Sequence, residues 1–254
     1  MDRIIYTAMA GAKQTMDRQA VVNNNLANVS TTGFRAQLSA MRAVPVQGAG
    51  VLDTRTSVVA STPGVDLSAG PITRTGRDLD IALQGNAWLA VLDDSGVEAY
   101  SRRGDLQVDS TGLLMTGDGR TVMGEGGPIV VPLGAQVFMG SDGTLSAIGE
   151  GEDPDALVEI GRLKLVTPLN PAQDLLRGDD GLFRMAPDAE GEAVFLAADE
   201  NARLVSGALE GSNVSAVDSM VAMIDNSRRY DLQMKVIETA SENAQRANSL
   251  LSLS

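Results

Sequence analysis

The residues of this chain that could do chemistry are carboxylates. Asp78 with Asp80, and Asp179 with Asp180, stand close enough in the sequence to supply paired acids for general acid–base catalysis. The chain has no histidine and no cysteine, which excludes imidazole bases, thiolate nucleophiles, thiolate metal ligands and disulfides. No nucleophile motif and no twelve-residue calcium loop accompanies the acids. We therefore interpret them as turn residues and predict a protein that is not an enzyme and has no cofactor or metal.

Charge and hydropathy limit the partners. The 254 residues carry a net charge of -13, which argues against nucleic acid, because phosphate binding requires patches of Lys and Arg. No apolar run is long enough to cross a bilayer, so we predict no membrane insertion. The first twenty residues lack the apolar core of a cleaved signal peptide. If the protein is exported, we expect a route that removes no leader.

The elements that must position any site begin with an amino-terminal helix from Arg3 to Asn28. Its seam residues recur at alternating steps of four and three, the heptad spacing of a helix that packs along another helix. The predicted seam consists of Ile5, Met9, Ala12, Met16, Gln19, Asn23 and Leu26.

The carboxy-terminal segment from Ser215 to Leu251 repeats the heptad pattern. Ser215 followed by Asp218 predicts a capped helix start, in which the hydroxyl accepts a free backbone N–H. Met, Ala and Ser at the seam favour exchangeable contacts with neighbours, although paired surface helices of an ordinary globular domain are the alternative. The larger seam residues are Met220, Met223, Tyr230, Met234, Ile237 and Leu251, and the smaller or polar ones are Ala216, Ser227, Ser241, Ala244 and Asn248.

Between the helices the periodicity changes. Residues 35–76 predict an extended connector, and residues 77–210 predict an all-β domain, because short alternating runs lie between turn signals every eight to twelve residues. Leu79, Ile81 and Leu83 predict a half-buried strand, and a further strand is expected from Val194 to Ala197. The predicted fold class is α+β. The helices, in residues 1–34 and 211–254, pair in a coiled-coil-like helical domain beside an all-β middle domain.

A helix exit is the most specific motif. Asn28 suits the left-handed conformation that often ends a helix, Thr31 and Thr32 favour extended chain, and Gly33 supplies a turn with positive φ. The motif residues that we single out are Asn25, Leu26, Ala27, Asn28, Gly33 and Phe34.

These residues carry a resemblance to a known family. Asn25 to Asn28 followed by Thr32 to Arg35 resembles the signature of the flagellar basal-body rod and hook protein family. Leu79 to Gly85 with Tyr100 to Gly104 resembles its central motif, and Gly207 to Val214 resembles its carboxy-terminal motif. The matches lie at both ends and in the centre of the chain.

The resemblance implies a structural subunit of the flagellar basal-body rod, the torque-transmitting drive shaft, which assembles through its terminal helices. It also implies secretion through the flagellar type III export apparatus, a periplasmic position, and other rod proteins and copies of itself as partners. The rival reading is a secreted β-domain that binds a carbohydrate or cell-wall polymer. Such sites need aromatic platforms or convergent polar groups, and the chain has one Trp, three Tyr and four Phe.

Overall fold

The computed structural model describes residues 2–45, 56–149, 151, 153, 156–187 and 190–251. An amino-terminal helix, a β-rich middle and a carboxy-terminal helix follow in this order, which confirms the predicted α+β class. The chain divides into a helical unit, formed by Met1–Val29, Gln37–Gly64 and Val214–Ser254, and a β unit, formed by Ser30–Ala36 and Val65–Asn213. The β unit therefore includes a short segment that directly follows the first helix.

Three helices occur in the part of the chain that the structure describes: α1 (Asp2–Ala27), α2 (Pro171–Asp174) and α3 (Ala216–Leu251). Helices α1 and α3 pack against each other within the helical unit. The helical unit also contains strand β1 (Gln37–Pro45), and β1 forms a two-stranded sheet with β2 (Thr56–Val65). Residues 46–55 of the predicted connector lie outside the described residues.

Side-chain hydrogen bonds occur at the end of α1 and at the start of α3. Among the described residues only glycines have a positive φ, so the expected left-handed cap at Asn28 is wrong. Instead, the side-chain amide of Asn28 donates to the carbonyl of Asn24 at 2.8 Å, and the same carbonyl accepts the backbone N–H of Asn28 at 3.2 Å. At the start of α3, the N–H of Asp218 donates to Ser215 Oγ at 3.3 Å. The predicted serine cap is thereby confirmed.

The β unit is built from short antiparallel strands. Their bounds are β3 (Ile72–Arg74), β4 (Ile81–Leu83), β5 (Trp88–Leu92), β6 (Glu98–Ser101), β7 (Leu106–Val108), β8 (Leu114–Thr116), β9 (Met123–Gly124), β10 (Gly127–Pro128), β11 (Gln136–Met139), β12 (Thr144–Ile148), β13 (Val158–Arg162), β14 (Leu165–Val166), β15 (Leu175–Arg177), β16 (Phe183–Met185), β17 (Leu204–Ser206) and β18 (Ala208–Glu210).

The sheets bring distant parts of the chain together. The largest described sheet has the order β14-β5-β6-β16-β15, and a three-stranded sheet has the order β11-β12-β13. Two smaller pairs position the site described below: β17 pairs with β4, and β18 pairs with β3 so that Glu210 lies opposite Ile72. The end of the β unit is thus paired with its beginning.

Aliphatic side chains fill the core of the β unit. Ile81, Leu89, Leu106, Leu114 and Leu145 are fully buried and belong to one apolar cluster. A second cluster surrounds Trp88, whose ring centroid lies 4.6 Å from that of Phe183. Both clusters bury the large apolar surface that stabilises a domain of this size.

Two strand predictions are corrected. Strand β4 is buried on both faces, not half-buried, since Ile81, Ala82 and Leu83 are each no more than 1% exposed. Its edges are covered as well: it pairs with β17 along one edge, and Gly104 approaches along the other, where a Cβ would overlap the carbonyl of Ile81. Residues 194–197 are irregular. There the N–H of Leu196 donates to the hydroxyl of Tyr100 at 2.7 Å, a side-chain acceptor that replaces a neighbouring strand.

Candidate assembly interface

The contact between α1 and α3 uses small and polar side chains. On α1 the buried residues are Ala8, Ala12, Thr15 and Val22, and on α3 the buried residue is Asn226. A Cβ added to Gly11 would lie 3.1 Å from the side chain of Gln233, so the two helices approach closely at this level. A close approach needs small side chains in the contact, and larger ones are therefore displaced to its flanks.

Because of this displacement, each helix has a covered row of residues that lies one position before the predicted seam, and part of the predicted seam itself is exposed. On α1, Ala8, Thr15 and Val22 are buried, each one residue before a predicted seam position. On α3, the buried or half-buried row is Ser219, Asn226, Gln233 and Ala240, again one residue before the predicted positions. The predicted seam positions that are covered are Ala12, which is buried, and the half-buried Ile5, Gln19, Leu26, Ala216, Met223, Tyr230, Ile237 and Ala244.

Four of the five methionines of the predicted seam lie on the outside. Met9, Met16, Met220 and Met234 are 54%, 59%, 53% and 44% exposed. Leu251 is the last described residue of α3, but its side chain lies outside the described ones. Sequence reasoning missed further exposed apolar residues of the two helices, although their helical spacing was visible: Tyr6, Val217, Val221, Ile224, Leu232 and Val236.

Polar atoms inside the helical unit lack partners. Arg18 Nε, Gln19 Oε1 and Asn226 Nδ2 are buried and make no hydrogen bond within the described part of the chain. An unsatisfied buried polar atom costs about 1–3 kcal/mol. The pairing of α1 with α3 is therefore weaker than its length suggests.

Asn25 of the exit motif connects α1 to β1. Its Nδ2 donates to the carbonyl of Gln37 at 2.9 Å, and its Oδ1 accepts the N–H of the same residue at 2.8 Å. A side-chain amide is suited to this pair of hydrogen bonds because it carries a donor and an acceptor side by side. Ala27, the next motif residue after Leu26, is exposed.

Three motif segments meet at Glu210, at the end of β18. Its Oε1 accepts Arg35 Nη2 at 2.7 Å, and its Oε2 accepts Arg102 Nη2 at 2.6 Å and Nε at 2.9 Å. All three side chains are no more than 3% exposed. We call Arg35, Arg102 and Glu210 the charged hub. Sequence reasoning missed it, because nothing in the local pattern pairs residues so far apart.

Backbone groups complete the hub. Arg102 also donates to the carbonyls of Leu83, Gly85 and Ala87 at 2.7–2.9 Å, which satisfies a buried guanidinium almost completely. The N–H of Gly70 donates to Glu210 Oε1 at 2.9 Å. Such charge-assisted bonds are stronger than neutral ones.

Asn213 holds the segment after β18 against the segment after α1. Its Oδ1 accepts the N–H of Ala36 at 2.7 Å, and its Nδ2 donates to the carbonyl of Asp66 at 2.8 Å. Its own N–H donates to the carbonyl of Phe34 at 3.3 Å. The two segments that continue into α1 and α3 are thus fastened to each other inside the β unit.

Gly33 and Phe34 of the exit motif are both buried. Gly33 has a φ of 67°, and a Cβ there would overlap the backbone of Arg102, so positive φ and close approach both require glycine. Phe34 stacks under the guanidinium of Arg177, which lies 4.9 Å from the ring centroid.

Electrostatics keep the hub charged. Burial by itself would raise the pKa of Glu210, but the positive charges of Arg102 and Arg35 outweigh it and lower that pKa below its usual 4.5. The carboxylate therefore stays ionised at neutral pH. One unsatisfied feature remains, since Arg35 Nε and Nη1 are buried without a hydrogen bond to any described residue.

The carboxylate pairs suspected of chemistry serve structural roles. Asp180 accepts from Arg184 at 2.6 Å, and the same guanidinium donates to Asp93 at 2.7 Å, which links the β5–β6 turn to the turn before β16. Asp80 is buried, with Arg77 Nε 3.6 Å away.

Among the described residues, no three acidic side chains gather as a metal site would require. No described helix is long and apolar enough to cross a membrane.

Three aromatic residues of the β unit lie in its core: Trp88, Tyr100 and Phe183 are each less than 5% exposed. Burial raises the pKa of Tyr100 to about 12, and its hydroxyl donates to Glu98 at 3.1 Å. A carbohydrate cannot stack on these three rings. Phe138 and Phe195 are 37% and 52% exposed.

The chain is similar to known flagellar basal-body rod proteins over its whole length. Models of three families match it: a flagella basal body rod protein family over residues 5–35, the flagellar hook protein FlgE/F/G D1 domain over 82–147, and the flagellar basal body rod FlgEFG protein C-terminal family over 205–250. The flagellar basal-body rod protein FlgF of Salmonella typhimurium is 52% identical over 255 residues, and that of Escherichia coli is 51% identical, with 100% of both chains covered in each case. The rod protein FlgG of Bacillus subtilis is 31% identical over 267 residues, which cover 95% of this chain and 96% of that protein.

Proposed function

Because the chain belongs to the flagellar basal-body rod protein family, as a structural subunit and not an enzyme, we propose that it assembles through its two terminal helices. In this proposal α1 and α3 make coiled-coil-like contacts with the helices of neighbouring rod subunits. Many distributed apolar contacts suit a shaft that transmits torque, because no single contact then carries the whole load.

One observation carries the proposal. The α1–α3 contact encloses mainly small and polar residues, whereas many of the large apolar residues of both helices are exposed outside it. Met9, Met16 and Met220 are each more than half exposed. Large exposed apolar patches on a soluble chain mark interaction sites, and methionine adapts its shape to different partners.

The test compares two neighbouring positions of α3. Met234→Asp places a charge on an exposed apolar residue, where desolvation on assembly is costly. Lys235→Asp, its control, changes an exposed residue that is already charged. We expect both variants to be produced and secreted, and only Met234→Asp to stop swimming in soft agar. Equal swimming by the two variants would contradict the proposal.

The finer assignments are also part of the proposal. We assign the chain to the proximal rod, because its relatives at 51–52% identity over their full length are named FlgF. We further propose export through the flagellar type III apparatus, without cleavage of a leader, into the periplasmic part of the basal body. Inactivation of that apparatus should retain the chain in the cell, and mass spectrometry of rod-borne subunits should find the amino-terminal Met1-Asp2-Arg3 segment.

A further inference from the structure

We propose that the outward face at the start of α3 binds the amino-terminal helix of a second copy of this chain, in a head-to-tail contact. This inference rests on the proposed function, since it names the two surfaces that meet and the partner that supplies one of them.

The first surface is a stripe on α3. Its four residues are spaced i, i+3, i+4 and i+7, so they lie on one side of the helix and cover two turns. This is the spacing by which a helix anchors itself to a helical partner. The α3 stripe consists of Val217, Met220, Val221 and Ile224, which are 70%, 53%, 60% and 54% exposed.

The stripe has a definite end. On the same side of α3 the charged residues Arg228, Asp231 and Lys235 follow Ile224, and Leu232, which is 65% exposed, lies at the edge of this side. The continuous apolar stripe therefore covers the first turns of the helix, and a partner that covers it must be correspondingly short or must cross α3 at an angle.

The second surface is a row on α1. Tyr6, Met9 and Met16 are 71%, 54% and 59% exposed, and we call them the α1 row. Met9 and Met16 are seven residues apart, as are Val217 and Ile224, which corresponds to about 10.5 Å along either helix. The part of the α1 row from Met9 to Met16 therefore matches the α3 stripe in length and in apolar character.

Charge adds complementarity to the match. Lys13 lies on the α1 row between Met9 and Met16, whereas Asp218 lies beside the α3 stripe, next to Val217. Both are exposed, and neither has an ion-pair partner among the described residues. Docking of the α1 row on the α3 stripe would bring these opposite charges into the same contact.

Symmetry favours this pairing over a stripe-to-stripe contact. When a surface binds its own copy, the contact closes a two-fold dimer and growth stops there. A contact between two different surfaces leaves one of each free at the ends and can propagate as a helical filament. A rod requires the second kind, and one helical unit presents both surfaces.

The area explains why the contact needs the rod. Stable complexes bury about 800 Å² on each partner, and four half-exposed side chains supply only a part of this. We therefore expect the isolated chain to remain monomeric, and the contact to form where several neighbours bind at once.

Cross-linking in assembled basal bodies tests the contact. The chain contains no cysteine, so single cysteines can be introduced without a background. Cells would co-express Val221→Cys and Met16→Cys subunits with tags of different size, and purified basal bodies would be treated with a bismaleimide. We expect a product that joins the two tags, and no product when Lys235→Cys replaces Val221→Cys.

The outcomes separate the contact from the proposed function. A product that joins only two Val221→Cys subunits, or that joins Val221→Cys only to a different protein, would overturn the head-to-tail contact. The head-to-tail contact would also be overturned if the subunits assemble but neither Met16→Cys nor Met9→Cys gives a product that joins it to Val221→Cys. Absence of the wild-type chain from basal bodies would instead overturn the proposed function, and this contact with it.

A charge exchange between Lys13 and Asp218 provides an independent test of the contact. Lys13→Glu should lower the yield of the mixed product severalfold, because it places two negative charges in the contact. Combining Lys13→Glu with Asp218→Lys in the same chain should restore the yield. Failure of the double variant to recover, in subunits that still assemble, would exclude the Lys13–Asp218 contact and the register that depends on it.

Discussion

Arg102 and Glu210 are separated by 108 residues in the sequence, yet Arg102 Nη2 and Glu210 Oε2 lie 2.6 Å apart in the interior of the β unit. Arg35, which is 175 residues from Glu210, binds the other carboxylate oxygen. The charged hub thus joins the segment after α1, the segment after β6 and the end of β18. Because residue 210 is required to complete it, the β unit cannot close until nearly all of its chain is present.

Removing the central charge should destabilise the β unit strongly. Glu210→Gln leaves Arg35 and Arg102 buried without their counter-charge, and loss of one partner of a buried ion pair costs about 3–5 kcal/mol. Urea denaturation followed by circular dichroism measures the loss in the free energy of unfolding. The control is Arg229→Ala, which breaks an ion pair with Asp225 whose side chains are both more than half exposed and should cost under about 1 kcal/mol. Equal losses in the two variants would contradict the structural role of the hub.

The same carboxylate should make stability depend on pH in the acid range. The folded-state pKa of Glu210 is lowered below 4.5, so its stabilising contribution is fully present above its unfolded pKa and is lost as pH falls through the folded pKa. The melting temperature of the wild type should therefore exceed that of Glu210→Gln by its full margin at pH 7. The margin should shrink once pH falls below about 4.5. A margin that stays constant from pH 7 to pH 3 would show that the pKa of Glu210 does not change on folding.

Gly33 should tolerate no side chain. Gly33→Val combines an unfavourable positive φ with overlap between the new side chain and the Arg102 backbone, so it should displace the exit motif and prevent motility. Gly85→Val is the matched control, because Gly85 has a φ of 56° with no atom near the position of its Cβ. It therefore carries the conformational cost alone. Thermal unfolding should show a larger loss for Gly33→Val, and equal losses would show that close approach to Arg102 contributes nothing.

Asn226 should reduce the stability of the helical unit. Its side chain is 1% exposed, and its Nδ2 has no hydrogen bond to a described residue. Asn226→Leu, whose side chain has the same branching and the same number of heavy atoms, should therefore raise the resistance of α1 and α3 to protease in the monomer, as apolar replacement of poorly satisfied buried polar groups often does. Ser227→Leu, at the exposed neighbouring position, should leave it unchanged. Faster cleavage of Asn226→Leu would show that the amide is satisfied in the folded protein.

The sequence by itself determined the parts of this protein that depend on local spacing. The amino-terminal helix was predicted from Arg3 to Asn28 and spans Asp2–Ala27, and the carboxy-terminal helix was predicted from Ser215 to Leu251 and spans Ala216–Leu251. Helical and strand periods are properties of neighbouring residues, so they can be recognised without the fold. The family motifs were recognisable for the same reason, since each is a continuous string.

Only the tertiary structure decided which row of each helix is covered and which residues meet. A heptad identifies an apolar side, but the choice between Met9 and Ala8, or between Met220 and Ser219, depends on how closely the two helices approach, and Gly11 permits a close approach. Asn28 follows α1 without a left-handed turn, and its side-chain amide donates to the carbonyl of Asn24. The charged hub has no local signature, because the pairing of β18 with β3 brings Glu210 into the site. Contacts across 108 and 175 residues are set by strand pairing and packing, which no short window of sequence contains.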